Sequence, residues 1–383
     1  MKARIAYIEG DGIGRDITPA TLRVVNAAVA RAYRGERAIE WEALLAGEGA
    51  FARTGTHLPD DTVERIRELG VALKGPLTTP VGGGFRSVNV ILRERLDLYA
   101  SVRPVRHLRG VPSPMRQPER VDLILFRENV EDVHTGIEFP AGSPEAERLI
   151  AVLREMRQTV FPGSAIGIKP MSKLRSQRLV RRALRHAIEC GRRVVTLVHK
   201  GNIQKQTEGA FRAWGYELAR EEFAGRVVSE EELGAGPLGD RVLLNDRIAD
   251  GMFQQLLLRP DDYQVLATPN LIGDYLSDAV AAQVGGVGMA PGANLGDAVA
   301  VFEAAHGTAP KHAGRDEANP SSLILSAAMM LEHLGWPEAA HAMTEALEQT
   351  IRQRRVTYDL ARQLGDVRPL RTSEFAAAII ASL

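Results

Sequence analysis

Residues 4–32 read RIAYIEGDGIGRDITPATLRVVNAAVARA, and this stretch decides the fold class. Arg4–Ile8 has the composition of a short buried strand, and the glycine-rich turn GDGIG follows it at 10–14. Thr18–Ala32 then spaces its apolar residues as one face of a helix does. A strand, a glycine turn and a helix in this order predict an α/β protein.

The glycine turn does not have the pattern of a dinucleotide-binding turn. GDGIG lacks the G-x-G-x-x-G spacing, and no clear second strand ends in an acidic residue at the right distance. A structural turn is therefore favoured over a nucleotide site, and a Rossmann fold is rejected.

Further apolar segments are predicted to be strands: Val71–Leu73, Leu123–Phe126, Val194–Val198 and Val265–Ala267. Polar residues lie near each of them. In α/β proteins a strand whose C-terminal end carries polar residues is the usual way to present a site. These segments are therefore expected to border the functional site.

Other segments indicate structure rather than chemistry. Arg116–Arg120 and Ala141–Glu147 are polar and proline-rich, which predicts loops. The arginine-rich stretch from Lys173 to Arg193 has two interpretations, a nucleic-acid patch or the solvated face of a helix. Its apolar residues repeat at helical spacing, which favours the helix.

Composition limits the classes of partner. The 383 residues include 48 Lys+Arg and 48 Asp+Glu, so the formal net charge is zero, which argues against nucleic acid or an anionic membrane. Cys190 is the only cysteine, which excludes an intramolecular disulfide and a thiolate metal cage. No targeting segment and no apolar run of membrane-spanning length is recognisable, so a cytoplasmic location is expected.

Two pairs of aspartates are candidates for a metal site. Asp246 and Asp250 are four residues apart, as are Asp274 and Asp278, and on a helix this spacing puts both on one face. Carboxylate oxygens suit Mg²⁺ or Mn²⁺. The alternative is a helix cap with surface charges. The second pair stands among apolar residues, where unpaired carboxylates are costly, which favours a metal there.

Candidate anion-binding groups complement these acids. Arg93, Arg103 and Arg127 each lie near the end of an apolar or aromatic segment, and three converging guanidinium groups would suit a di- or tricarboxylate. The alternative for each is an ordinary ion pair. The loop HGTAPKHAG, at 306–314, has a composition that can cradle a phosphate through backbone amides.

Taken together, these segments resemble the bacterial NADP-dependent isocitrate dehydrogenases of the β-decarboxylating (isocitrate/isopropylmalate) dehydrogenase family. The resemblance covers nearly the whole chain. It is carried by YIEGDGIGRDITPA, KGPLTTPVGGGFRSVNVILR, LDLYASVRPVR, FRENVED, TLVHKGNI, NLIGDYLSDAVAAQVGG, FEAAHGTAPKHAG and VTYDLAR.

The resemblance implies a non-Rossmann α/β fold in three parts. A large domain would comprise residues 1–98 and 285–383, a small domain 99–131 and 173–284, and a dimerisation clasp 132–172. It further implies a homodimer whose active sites, in the clefts between domains, take residues from both subunits. NADP, a divalent cation (Mg²⁺ or Mn²⁺) and isocitrate would be bound there.

Site residues follow from the resemblance by position. The substrate-binding residues would be Ser87, Asn89, Arg93, Arg103, Arg127 and Asn202, with Ser87 and Asn89 at the γ-carboxylate. The metal ligands would be Asp274 and Asp278 together with Asp250 of the other subunit. The catalytic groups would be Lys200, also from the other subunit, with Asp250 and His134. The cofactor contacts would be Thr78, His306, Gly307, Thr308, Lys311, His312, Asn319, Tyr358 and Arg362.

Two positions depart from the family pattern. His134 stands where the family has a tyrosine as general acid, and His312 replaces a tyrosine that contacts the 2′-phosphate of NADP. A histidine can donate a proton near neutral pH. His134 also leaves two alternatives open, a related substrate such as homoisocitrate or a γ-phosphonate analogue, and a non-catalytic subunit of the same fold. Ser87 matches a serine that some enteric relatives phosphorylate.

Overall fold

The computed structural model describes residues 1–78 and 87–383, which contain thirteen strands and fourteen α-helices. The strands are β1 Lys2–Ile8, β2 Ala38–Ala43, β3 Val71–Lys74, β4 Ala100–Arg106, β5 Asp122–Glu128, β6 Glu138–Phe139, β7 Ile166–Gly167, β8 Val194–His199, β9 Val227–Ser229, β10 Val242–Ile248, β11 Val265–Thr268, β12 Pro291–Leu295 and β13 Ala300–Ala304. The helices are α1 Gly14–Ala32, α2 Glu48–Thr54, α3 Asp60–Leu69, α4 Val88–Arg95, α5 Pro144–Glu155, α6 Lys173–Glu189, α7 Glu208–Glu222, α8 Glu230–Leu233, α9 Ala249–Leu258, α10 Asn270–Gln283, α11 Ser321–His333, α12 Pro337–Arg352, α13 Tyr358–Leu364 and α14 Thr372–Ser382.

One mixed sheet of eleven strands runs through the molecule, in the order β2-β1-β3-β13-β12-β4-β5-β11-β8-β10-β9. The strands on each flank are parallel to one another, whereas β12 and β4 form the antiparallel centre. As a result the two flanks point in opposite directions. This order confirms a non-Rossmann α/β fold.

The first strand and helix form as predicted, but the helix begins earlier. α1 starts at Gly14, so the last glycine of the turn belongs to its first turn. Val25, Ala28 and Val29 lie on its buried face, as the helical spacing predicts. All four further apolar segments form strands, as predicted.

The prediction of a loop at Ala141–Glu147 is wrong, because α5 begins within it. The Ser143 side chain accepts a hydrogen bond from the backbone N–H of Ala146 (3.2 Å), and Pro144 takes the first helical position. Serine at the N-cap and proline after it are a helix start signal. Part of the other predicted loop, Pro118–Arg120, forms a short 3₁₀ turn.

α6 confirms that the arginine-rich stretch is a helix. Leu179, Val180, Ala183 and Leu184 are completely buried on its inner face. Ser172 caps its N-terminus by accepting from the backbone N–H of Arg175 (3.3 Å). The arginines therefore decorate the other side of an ordinary amphipathic helix.

The hydrophobic core consists of several clusters. The largest joins both ends of the chain, from Ile5 to Phe375 and Ile379, and a second surrounds α6 and β8. The proposed division into a large domain, a small domain and a clasp stays a prediction. In the part of the chain that the structure describes, no helix is long and apolar enough to span a membrane.

Candidate active site

A small cavity of about 150 Å³ lies over one face of the central strands. Arg103 from β4, Asn294 from β12 and Glu303 from β13 line it together with Lys74, the last residue of β3. Side chains two residues apart on a strand share a face, so neighbouring strands bring these groups together. The cavity therefore lies on one face of the antiparallel strands at the centre of the sheet. It does not lie at an edge where the C-terminal ends of parallel strands meet.

Four of the residues assigned from sequence line this cavity besides Arg103: Asn89, Arg93, His306 and Gly307. Asn89 stands in the first turn of α4, and its Oδ1 is buried without a hydrogen-bond partner among the described residues. An unsatisfied buried polar atom calls for a ligand or water. Ser87 immediately precedes α4, and residues 79–86 of the same motif lie outside the described residues.

Arg93 is held by a buried ionic cluster that the sequence did not indicate. Its Nη2 donates to Oε1 of Glu303 (3.1 Å), and Nζ of Lys74 lies 2.5 Å from Oε2 of the same carboxylate. Burial alone would raise the pKa of Glu303, but Lys74 and Arg93 outweigh it and lower that pKa. Glu303 is thus a fixed negative charge that orients Arg93 toward the cavity.

Arg127 holds three different partners from the end of β5. Its Nε donates to Asn270 (2.9 Å), its Nη1 to Asp274, and its Nη2 to Nε2 of His134 (3.0 Å). Since a guanidinium group only donates, Nε2 of His134 is the acceptor and the proton of the neutral ring belongs on Nδ1. That Nδ1 is buried and has no partner among the described residues.

The two aspartates of α10 face arginines rather than apolar residues. Arg103 donates to Asp278 (3.1 Å), and the side chains of Asp274 and Asp278 are 42% and 58% exposed. The expectation that apolar neighbours enclose them is therefore wrong, because their helix face opens toward the arginines. Burial tends to raise the pKa of Asp274, but His134, Arg127 and Arg103 lower it on balance.

Asp274 and Asp278 have the donor chemistry that Mg²⁺ or Mn²⁺ requires. They are one helical turn apart on α10 and present hard carboxylate oxygens. Within residues 1–78 and 87–383, no three His, Cys, Asp or Glu side chains are grouped as a metal site. The pair can therefore supply part of a coordination sphere, which Mg²⁺ commonly completes with water and substrate oxygens.

Lys200 and Asp250 form a second group. Nζ of Lys200 lies 2.5 Å from Oδ1 of Asp250, and Asn202 is exposed two residues further on. This ion pair lowers the pKa of Asp250. Lys200 directly follows β8, and Asp250 is the second residue of α9, so two parallel strands and their connections bring them together.

The expected pairing of Asp246 with Asp250 on a helix face is wrong. Asp246 belongs to β10, and only Asp250 is helical. The Asp246 carboxylate instead accepts from Tyr216 and Arg212 (both 2.8 Å) and lies 3.1 Å from Nε2 of His199. Asp246 therefore anchors His199, the residue before Lys200.

The glycine turn supports the two loops assigned to the cofactor. Asp11 accepts from the backbone N–H of Thr78 (2.9 Å), and the N–H of Ile13 donates to the carbonyl of Thr308 (2.9 Å). A Cβ on Gly12 would lie 2.2 Å from that carbonyl oxygen. The turn is structural, as predicted, and its glycine permits the close approach.

A polar patch gathers most of the residues assigned to the 2′-phosphate. The rings of His312 and Tyr358 stack with centroids 5.1 Å apart, and Arg362 follows Tyr358 by one turn of α13. Lys311 and Arg362 are exposed. Nδ1 of His312 lies 2.8 Å from Glu317.

Asn319 and His306 lie at the buried side of this region. Asn319 is buried and donates to Asp359 (2.9 Å). Burial lowers the pKa of His306, whose Nε2 is buried without a partner among the described residues. A neutral imidazole with one unsatisfied nitrogen suits a bound polar ligand.

The chain is similar to known proteins over nearly its whole length. A model of the isocitrate/isopropylmalate dehydrogenase family matches residues 4–379. A relative from Archaeoglobus fulgidus named NADP isocitrate dehydrogenase is 53% identical, over 99% of this chain and 92% of its own. One of that name from Pseudomonas aeruginosa is also 53% identical, over 99% and 93%. The crystal structure of isocitrate dehydrogenase from Methylococcus capsulatus superposes with a TM-score of 0.83 at 38% identity, covering 99% of both chains.

Proposed function

The chain belongs to the isocitrate/isopropylmalate dehydrogenase family, and from this premise we propose that it oxidises and decarboxylates isocitrate to 2-oxoglutarate and CO₂ with NADP and a divalent cation. The observation that carries the proposal is the convergence of Arg103, Arg127, Asp274 and Asp278. Two guanidinium groups and two carboxylates lie together there. The guanidinium groups suit the carboxylates of a hydroxy acid, and the carboxylates suit a divalent cation.

The arginines provide the grip on the substrate. Arg103 and Arg127 donate to the aspartates of α10. We infer that carboxylates of isocitrate take over some of these donors when a cation binds the aspartates. The Nδ2 of Asn89 and the hydroxyl of Ser87 would donate to the γ-carboxylate, which only accepts hydrogen bonds. Guanidinium groups suit this role because each offers several N–H donors in fixed directions.

The chemistry divides between the bound groups and the chain. When bound between Asp274 and Asp278, the cation would supply Lewis-acid chemistry, and NADP would serve as the hydride acceptor. Lys200 would take up the hydroxyl proton as a neutral amine, once the ammonium of its ion pair with Asp250 has given up a proton. Asn202 would help to hold the substrate near this amine.

His134 is the proposed proton donor at C3. Its Nε2 is engaged by Arg127, and its Nδ1 has no partner among the described residues. To give a proton to C3 the ring would act as an imidazolium, with Nε2 released from Arg127, and would return to the neutral imidazole. Proton donation by a positioned side chain contributes about 10²–10⁴ in rate. His134 thus replaces the tyrosine of the family pattern with another donor.

NADP rather than NAD is favoured by the patch around α13. Lys311, Arg362 and His312 offer cationic or donor groups near Tyr358, which suits a dianionic 2′-phosphate. Asp11 and Ile13 hold the loops at Thr78 and Thr308 that would contact the rest of the cofactor, together with His306, Gly307 and Asn319.

A homodimer with shared sites completes the proposal. Lys200 and Asp250 bind each other rather than Asp274 and Asp278, and no three acids of the described chain form a metal group. We therefore propose that they serve the site of a second copy. Exposed apolar side chains on α9 and α10, namely Leu257, Leu258 and Tyr275, suit such contact. A cytoplasmic location remains a prediction.

One assay tests the function. Purified protein with isocitrate, NADP and Mg²⁺ or Mn²⁺ is expected to form NADPH, measured by absorbance, and chelation of the cation is expected to abolish it. NAD should support a much lower kcat/KM. The absence of NADPH with either cation would refute the proposal.

Because of His134, a panel with homoisocitrate and a γ-phosphonate analogue tests the alternative substrates. Turnover of isocitrate by the chain alone excludes a non-catalytic subunit.

A further inference from the structure

Lys169, Asp132 and Glu208 form an ionic triad. The triad does not line the small cavity over the central strands and has no part in the function proposed above. Nζ of Lys169 contacts Oε1 of Glu208 and lies 3.3 Å from Oδ1 of Asp132. The Asp132 and Glu208 side chains are 1% and 2% exposed. Two enclosed carboxylates would repel each other strongly, and the single ammonium group between them relieves that repulsion.

Each carboxylate of the triad also holds a backbone group of the candidate active site. Oε2 of Glu208 accepts from the N–H of Lys200. Oδ2 of Asp132 accepts from the N–H of Leu271 (2.9 Å), in the first turn of the helix that carries Asp274. The two groups of active-site residues in one chain are therefore joined through Lys169.

The backbone around Asp132 shows that this link is constrained. Asp132 has a φ of +71°, a left-handed conformation that is unfavourable for a residue other than glycine. Its N–H donates to the carbonyl of Pro170 (3.0 Å), next to Lys169, and its Oδ1 accepts from the N–H of Val133 (2.8 Å). His134 follows in the same short turn, so the triad also fixes the segment of the proposed proton donor.

We propose that Lys169 is a positioning residue: by bridging Asp132 and Glu208 it holds the Lys200 loop in register with the His134 turn and the start of α10. In this proposal it acts through Asp132 and Glu208 and not on the substrate itself. The catalytic part of this inference rests on the proposed function, whereas the structural part does not. In the proposed dimer, Lys200 serves one site and His134 the other, so this link connects the two sites through a single chain.

Amide hydrogen exchange tests the structural part without any activity. In Lys169→Met, the amides of Lys200 and Leu271 are expected to exchange at least about tenfold faster, although neither binds Lys169. The amide of Val301, in β13, is expected to keep its protection. The matched control is Lys173→Met, which removes a half-exposed lysine paired with Glu217 (2.7 Å) and should change none of these amides. Equal acceleration at all amides, or none at Lys200 and Leu271, would overturn the proposal.

Kinetics test the catalytic part and separate it from simple instability. Lys169→Met is expected to lower kcat about 10- to 100-fold, because a displacement of about 1 Å at a catalytic group has effects of that size, while KM for isocitrate changes less than about threefold. The double variant Lys169→Met/Glu208→Gln removes the repulsion between the carboxylates of Asp132 and Glu208. It does not restore the bridge that Lys169 forms between them. Recovery of thermal stability with kcat still low supports positioning, and recovery of kcat together with stability contradicts it.

The two proposals fail in different ways. If the wild-type protein forms no NADPH, the proposed function is wrong, and the exchange experiment still decides whether Lys169 joins the two segments. If the wild-type protein is active and Lys169→Met keeps its kcat, only the positioning role is refuted. Lys169→Arg, which retains the bridging charge, is expected to recover part of the lost kcat.

Discussion

His134 is the residue whose chemistry sets this chain apart from the pattern that it resembles. Arg127 donates to its Nε2 at 3.0 Å, and Asp274 lies 3.8 Å from the same atom, too far for a hydrogen bond. Nε2 of the ring is therefore held by Arg127, whereas Nδ1 has no partner among the described residues. Its position follows from the short turn after β5.

His134→Phe is expected to lower kcat at least about 100-fold, because the ring shape remains but the proton donor is lost. Steady-state formation of NADPH and release of CO₂ measure this effect. His134→Tyr is the matched variant that restores a donor, and it should keep activity within about tenfold of wild type. Wild-type turnover by the phenylalanine variant would show that another group protonates C3.

Arg127→Lys is expected to lower kcat/KM for isocitrate by about 100-fold or more, equivalent to roughly 2.7 kcal/mol. One ammonium group cannot replace three N–H directions toward Asn270, Asp274 and His134. The control is Arg192→Lys, since among the described residues the Arg192 side chain donates to the carboxylate and backbone carbonyl of Asp122, at the surface. If the Arg127 variant and the control had the same kcat/KM for isocitrate, Arg127 would not hold the substrate as proposed.

At the scale of elements, the glycine turn between β1 and α1 is expected to control cofactor binding. Gly12→Ala places a Cβ 2.2 Å from the Thr308 carbonyl and should raise KM for NADP at least about tenfold, with KM for isocitrate changed less than about twofold. Gly35→Ala is the control, because Gly35 also has a positive φ (81°) but open space around it. Initial rates at varied NADP measure both, and equal changes in the two variants would refute the assignment.

The end of β5 is expected to make stability depend on pH. Burial raises the pKa of Glu128 from 4.5 to about 7, against hydrogen bonds from the N–H groups of Val130 and Glu131. A raised pKa means that the folded state binds the proton more tightly than the unfolded state. The stabilisation from this group is therefore complete below pH 4.5 and is lost as pH rises through about 7.

Glu128→Gln removes this titration. Between pH 5.5 and 8 the free energy of unfolding of the wild type is expected to fall by roughly 2 kcal/mol relative to the variant. Chemical denaturation at both pH values measures the difference. Parallel stability curves for the two proteins would show that Glu128 does not titrate in this range.

Local patterns predicted the elements better than their contacts. The strand at 4–8 and the arginine-rich helix after Lys173 were predictable, because hydrophobic periodicity reports which face is buried. The strand that contains Asp246 was missed, because a spacing of four suits a helix only if the segment is helical. The start of α5 has a recognisable sequence signal, the N-cap Ser143 followed by Pro144, and the prediction of a loop did not use it.

Long-range contacts account for what the sequence could not indicate. Glu303 meets Lys74 because β13 lies beside β3 in the sheet, and Arg93 reaches the same carboxylate from α4. The triad around Lys169 joins residues from three distant segments. The role of each assigned residue came from a resemblance of motifs, since a lone arginine or aspartate does not specify its partner. Pairing across a fold depends on topology, which local spacing does not contain.

At the scale of the whole molecule, one chain holds two groups of candidate catalytic residues. The clamp group contains Arg103, Arg127, Asp274 and Asp278, and the second group contains Lys200 and Asp250. The continuous sheet carries both on separate connections. A closed two-fold dimer would place the second group of each copy against the clamp of the other, because isologous contacts are reciprocal.

Mixing two inactive variants, Lys200→Met and Asp274→Asn, tests this claim most directly. Each variant alone is expected to lack isocitrate- and metal-dependent NADPH formation. After dissociation and reassociation together, about half of the dimers would contain both variants and one intact site of two, so activity should return to about a quarter of wild type. Activity that stays at the level of the separate variants would contradict shared sites.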